Sequence, residues 1–152
     1  LTEGSKGERL LALFNEKFKK TSMVINKSID DALVLLVDDD KIPRVILSRA
    51  LKEMGVKNIL TAENGQQGFQ VLLTESVDII VSDWNMPVMD GLDFFRSIKG
   101  NDRLSSIPFL LLTSKNSKDE VMKALKVGIK NYVIKSNDTE PFKDKIKSML
   151  GV

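Results

Sequence analysis

From residue 33 onward, short apolar runs alternate with amphipathic segments, and this alternation restricts the chain more than any other feature. Residues 33–37, 58–62, 78–81, 109–112 and 132–134 are brief apolar runs rich in Val, Ile and Leu, the length and composition of buried strands. The segments between them carry apolar residues at helical spacing. Ile42, Ile46, Ala50 and Met54 precede a stop at Gly55, and Pro43 suits a first helical turn. Phe69, Leu72 and Leu73 mark a second helix over 65–73, and Leu92, Phe95 and Ile98 a third. Val121, Ala124 and Leu125 mark a fourth, ended by Gly128, and Phe142, Ile146, Met149 and Leu150 a fifth. Five strands alternating with five helices predict an α/β fold with a parallel sheet covered on both faces.

Composition narrows the chemistry. The chain of 152 residues has neither cysteine nor histidine. Disulfides, thiolate nucleophiles, an imidazole base and the usual zinc ligands are therefore excluded. What remains is carboxylate, hydroxyl and amine chemistry. Formal net charge is +2, and all of the excess lies in residues 1–30, so residues 31–152 balance. A balanced body predicts no nucleic-acid partner. No apolar run reaches the length of a membrane span, and residues 1–30 carry no signal-peptide pattern, so a cytoplasmic location is expected. The first residue is Leu1 rather than Met, which leaves a removed leader open.

Residues 1–31 read as a separate N-terminal extension and residues 32–152 as the main domain. In "SKGERLLALFNEKFKK", Ser5 and Glu8 fit a capping box, and Leu11, Phe14 and Phe18 share one helical face. The segment "TSMVINKSIDDA" reads as a connector.

Polar residues gather where the strands end. Asp38, Asp39 and Asp40 follow the first, Asp83 the third, Thr113 the fourth and Lys135 the fifth. In a parallel sheet all carboxyl ends lie along one edge, so these distant residues converge. Adjacent carboxylates repel, and a divalent cation offsets that repulsion. Carboxylates with a main-chain carbonyl suit Mg²⁺. A lysine and a hydroxyl close by suit a phosphoryl group. The natural nucleophile is then a carboxylate, and Asp83, alone at the middle strand, is the best placed.

The segments "VLLVDDD", "SDWNMPVMDG", "LLLTS" and "NYVIK" resemble the defining motifs of response-regulator receiver domains, in order and in register over about residues 32–150. "DWNMP" is particularly similar to the chemotaxis branch of that family, the CheY type. The resemblance implies a flavodoxin-like sheet of order 2-1-3-4-5. It implies that Asp83 is the phosphoacceptor and Asp39 a direct metal ligand, with Asp38 an acid acting on the metal through water. Asn85 matches the residue whose main-chain carbonyl completes the Mg²⁺ site. Thr113 and Lys135 match the hydroxyl and amine that hold the phosphoryl group, and Tyr132 the switch aromatic. The implied partners are a histidine kinase or phosphotransfer protein and an effector bound through the fourth helix, fifth strand and fifth helix. For a chemotaxis regulator that effector is the flagellar motor switch.

Some features stand apart. Asp40 matches no role and is expected at the solvent-exposed start of the first helix. Trp84 is expected to border the site without chemistry, and Asp90 and Gly91 to serve a turn and a helix start. The family usually has Pro after the lysine; here Ser136 stands there, which predicts a trans Lys135–Ser136 bond. "SNDTEP" offers capping groups for the last helix. Three other readings stay open. A haloacid-dehalogenase-type phosphatase also uses Asp, Lys and Mg²⁺, although Asp83 is followed by Trp84 and Asn85 and so does not open the D-x-D motif of that class. A receiver within a larger hybrid protein, or a pseudo-receiver that is never phosphorylated, also fits.

Overall fold

The computed structural model describes residues 27–114 and 118–152. The helix expected over residues 5–20 lies outside them. The described elements alternate strictly. They are β1 (Leu33–Val37), α1 (Lys41–Glu53), β2 (Asn58–Ala62), α2 (Gly65–Thr74) and β3 (Ile79–Asp83), then α3 (Gly91–Lys99), β4 (Phe109–Thr113), α4 (Lys118–Lys126), β5 (Asn131–Ile134) and α5 (Glu140–Leu150). All strand pairs are parallel, in the order β2-β1-β3-β4-β5. This is the flavodoxin-like arrangement expected of a receiver-type chain.

Strand periodicity divides the core in two. Leu35 and Val37 of β1, Ile80 of β3 and Leu111 of β4 face one side, where α2, α3 and α4 supply Leu72, Phe94, Phe95, Ile98 and Ala124. Val34, Leu36, Ile79, Val81, Leu110 and Leu112 face the other, against Ala50 and Leu51 of α1 and Phe142, Ile146, Met149 and Leu150 of α5. Burial on both faces explains why the inner strands read as continuous apolar runs rather than alternating ones.

Several expectations need correction. β3 and β4 run further than the apolar runs suggest, because Ser82 and Asp83 pair with Leu111 and Leu112, and Thr113 with Ile134. Asp83 and Thr113 are therefore the last residues of their strands rather than the residues after them. Ile42, Ile46, Leu73 and Leu125 are exposed. Ile42 and Ile46 line an open groove shared with Val133 of β5 and Phe142 of α5 instead of filling the core. Leu73 and Leu125 are each next to the residue that fills the core, Leu72 and Ala124, and turn outward by one helical step.

Candidate functional site

The sheet order places the topological switch between β1 and β3, and the acids of interest end those two strands. Ligands of open α/β sheets bind in the crevice at such a point. Asp38, Asp39 and Asp83 each bring a carboxylate oxygen there, all within 4.8 Å of one another. Asp38 and Asp83 are buried and Asp39 is exposed.

Lys135 reaches this cluster from the end of β5. Its Nζ lies 3.0 Å from Asp38 Oδ2 and 3.1 Å from Asp83 Oδ1. No peptide bond among the described residues is cis, so the Lys135–Ser136 bond is trans as expected. The lysine still spans both acids. Its backbone is fixed by the N–H donated to Thr113 O at 2.7 Å. Ser136 Oγ accepts the N–H of Asp138, and Asp138 Oδ1 accepts that of Glu140, so Asp138 rather than Thr139 supplies the side-chain cap of α5.

The acids are held in distinct ways. Asp38 Oδ1 accepts the N–H of Asp40 at 2.9 Å, and the Arg44 guanidinium donates to the Asp38 carbonyl at 2.5 Å. Asp40 is the N-cap of α1, its carboxylate accepting the N–H of Ile42 at 3.1 Å. It is exposed at a helix start, as expected, and it also closes the turn that carries Asp38 and Asp39. Asp83 Oδ1 accepts the N–H of Trp84 at 2.8 Å. Asp83 Oδ2 makes no hydrogen bond to a described residue, yet no buried side-chain oxygen among them lacks a partner. That second oxygen is therefore open to solvent.

Charge and burial set the ionisation here. Burial, and next the charge of Asp38, push the Asp83 carboxyl above the usual carboxylate range, against the opposing pull of Lys135 and the Trp84 N–H. Burial lowers the Lys135 ammonium, but its hydrogen bond to Asp38 and the charges of Asp83 and Asp38 outweigh this and hold Lys135 above the usual lysine range. Three clustered carboxylates facing one amine leave a surplus of negative charge. Hard oxygen donors with that surplus fit Mg²⁺; Asp38, Asp39 and Asp83 would hold it.

The remaining candidates take their places around this centre. Thr113 is buried at the end of β4, beside β3 and β5. Asn85 is exposed in the loop after β3, and Tyr132 is exposed on β5. Trp84 differs from expectation. Its side chain is core, and its main-chain N–H binds Asp83, a role no side-chain motif can announce. Asp90 caps α3 through the N–H of Asp93. Gly91 is required by close approach: a Cβ there would lie 2.4 Å from the Asp83 carbonyl oxygen.

Fold and site together define a doubly wound domain with an acidic pocket at its switch point. The sequence profile of the response regulator receiver domain matches residues 34–147. The chain is 34% identical over 119 residues to chemotaxis protein CheY1 of Helicobacter pylori, covering 78% of this chain and 96% of that one. The receiver domain of a signal transduction histidine kinase from Syntrophus aciditrophicus superposes with a TM-score of 0.73 at 28% identity, covering 79% and 90% of the two chains. The response regulator TrrA of Thermotoga maritima, solved in complex with Mg²⁺ and BeF, superposes at 0.69 with 28% identity, covering 78% and 99%. The chain belongs to the response regulator receiver domain family. It is a signalling domain of the two-component type.

Proposed function

We propose that Asp83 accepts a phosphoryl group from a phosphohistidine on a histidine kinase or phosphotransfer protein, and that the new charge changes what the domain binds. The observation that carries this is the division of labour on Asp83. Oδ1 is held by Trp84 N–H and Lys135 Nζ, while Oδ2 is open. Oδ2 attacks phosphorus in line with the P–N bond. That bond breaks, its electron pair stays on the donor imidazole nitrogen, and an aspartyl phosphate remains. Lys135 moves its ion pair from the carboxylate to the phosphoryl oxygens, and Thr113 donates its hydroxyl to one of them. Asp38, Asp39, Asp83 and the Asn85 carbonyl would hold Mg²⁺, which when bound would supply charge neutralisation for the transferring group. Water later hydrolyses the acyl phosphate, so the domain acts on itself rather than on a pool of substrate.

The output face is α4, β5 and α5. Met122, Leu125, Tyr132 and Ile134 are exposed apolar residues on α4 and β5, in reach of a protein partner. Tyr132 turns inward when Thr113 is drawn to the phosphoryl group, and the face then changes its partner preference. Similarity to chemotaxis proteins favours the flagellar motor switch as effector. Similarity to a receiver domain of a histidine kinase supports the second reading, a receiver within a larger hybrid protein. We place the domain in the cytoplasm, where such donors and effectors meet; no helix among the described residues is long and apolar enough to cross a membrane.

Beryllofluoride with Mg²⁺ tests the acceptor. Buried Trp84 beside Asp83 serves as the fluorescence reporter. A saturable change in wild type that is lost in Asp83→Asn supports the switch. Steady turnover of external phosphomonoesters would instead make the protein a phosphatase, and an unresponsive wild type would make it a pseudo-receiver.

A further inference from the structure

The carboxyl edge of the sheet carries a second recess beside the acidic pocket. It is a groove of about 470 Å³, lined by Ile42 and Ile46 of α1, Val133 and Ile134 of β5 and Phe142 of α5. Ile42 is 68% exposed, and Ile46 and Ile134 are exposed as well. Apolar side chains gathered in a polar rim mark a binding surface. Asp40 and Asp138 stand exposed on that rim. Lys135, the one cation of the lining, is turned to Asp38 and Asp83. The rim therefore presents negative charge around an apolar floor.

The chain holds a segment of matching chemistry. In residues 1–26, which precede the described part, Leu11, Phe14 and Phe18 share one face at helical spacing. The cations Lys6, Arg9, Lys17, Lys19 and Lys20 outnumber the acids Glu3, Glu8 and Glu16, a net charge of +2. Three of those lysines flank Phe18. The point of attachment favours this groove too. Lys27 pairs with Asp78 at 3.0 Å, just before β3, and Ile29 packs on the core layer of α1 and α5. Val133 and Phe142 of the groove belong to that same layer. The chain thus enters on the side of the sheet where the groove lies, at the opposite edge, a five-residue strand or about 16 Å away. Residues 21–26 span about 20 Å when extended, so Phe18 reaches the groove without any change in the domain.

We infer that the apolar face of residues 11–18 docks into this groove within the same chain, its lysines over Asp40 and Asp138. A short tether gives this segment an effective concentration on the order of millimolar, an advantage that no separate chain has. Lys135 and Ser136 border the groove, so the docked segment also narrows the approach to Asp83. That consequence rests on Asp83 being the phosphoacceptor; the docking does not.

The test uses the isotope-labelled full chain and compares wild type with the triple variant Leu11→Asp, Phe14→Asp and Phe18→Asp. Amide NMR should show shifts between the two at Ile46, Val133, Ser136 and Phe142, independent of protein concentration, with Leu72 and Phe95 on the other sheet face unchanged. Ile42→Gln with Ile46→Gln, both at exposed positions, should release the same segment, and adding the triple change to that pair should alter little more. If the pair unfolds by circular dichroism, Ile134→Gln replaces it. With acetyl phosphate and Mg²⁺, the triple variant should be labelled at least about threefold faster than wild type, as when about two thirds of the chains are docked. Unchanged groove amides, shifts at the other sheet face instead, or shifts that grow with protein concentration, as for a second copy, would overturn the docking. Equal labelling rates with the groove shifts present would overturn the restricted approach alone. Labelling of neither protein would contradict the acceptor reading, and the groove amides would still decide the docking.

Discussion

Among the described residues Lys135 is the only amine touching the buried acids, and Lys135→Met shows what it holds together. Met keeps most of the aliphatic stem and removes the charge. Asp38 and Asp83 are then left buried, like-charged and within 4.8 Å, with no cation between them. At an effective dielectric near 20, each contact at 3.0 and 3.1 Å is worth about 5 kcal/mol of gross attraction. Much of this is offset by desolvation of the ions. Breaking one side of a buried pair costs about 3–5 kcal/mol net. Lys135 retains 26% of its side-chain exposure, so the low end applies, about 3 kcal/mol. For a domain of this size that is a fall in Tm of about 12 °C. Thermal unfolding by circular dichroism at neutral pH without Mg²⁺ measures it, and adding Mg²⁺ should recover part of the loss. The pH dependence has a definite sign. Asp83 titrates above the usual carboxylate range, so lowering pH through that region neutralises one acid and shrinks the deficit. Lys135 titrates above the usual lysine range, so the amine stays charged through neutral pH and its stabilisation is lost as pH rises through its own elevated pKa. A loss under about 1 kcal/mol, or one that ignores both pH and Mg²⁺, would refute the view that the lysine compensates a charged acid pair.

Other substitutions separate the roles further. Asp83→Asn should be more stable than wild type at pH 7, because folding raises the Asp83 pKa and so opposes its charged form; chemical denaturation should show this advantage fading as pH falls through that pKa. Asp39→Ala should abolish Mg²⁺ binding measured by calorimetry, with little change in stability. Asp40→Ala should cost about 1 kcal/mol through loss of the α1 cap and largely spare Mg²⁺ affinity. Gly91→Ala should cost about 3 kcal/mol in urea unfolding, since its methyl group would meet the Asp83 carbonyl at 2.4 Å and the backbone must yield.

The element order was legible because the inner strands β1, β3 and β4 are buried on both faces and each helix on one, so period and length agreed. Asp38, Asp83 and Lys135 were legible as neighbours because a parallel sheet forces strand ends to one edge. The misread strand ends have a common cause. Ser82, Asp83 and Thr113 are polar, so an apolar run stops before them, while pairing with Leu111, Leu112 and Ile134 continues. Helical stripes were legible in phase but not in width. Ala124 fills the core and Leu125 does not, because chain-neighbouring residues point about 100° apart on a helix. Three site features left no side-chain signal at all. The N–H of Trp84 on Asp83 and the Arg44 bond to a carbonyl involve main-chain atoms, and the bridging of two acids by one lysine is a distance, not a spacing.

The most direct measurement is intact-mass spectrometry of the full chain after incubation with acetyl phosphate and Mg²⁺, followed by borohydride trapping and peptide mapping. One phosphoryl group per chain is expected, trapped at Asp83, absent without Mg²⁺ and absent in Asp83→Asn. A modification that persists in Asp83→Asn, or a wild type left unmodified at saturating Mg²⁺, would rule out Asp83 as the phosphoacceptor.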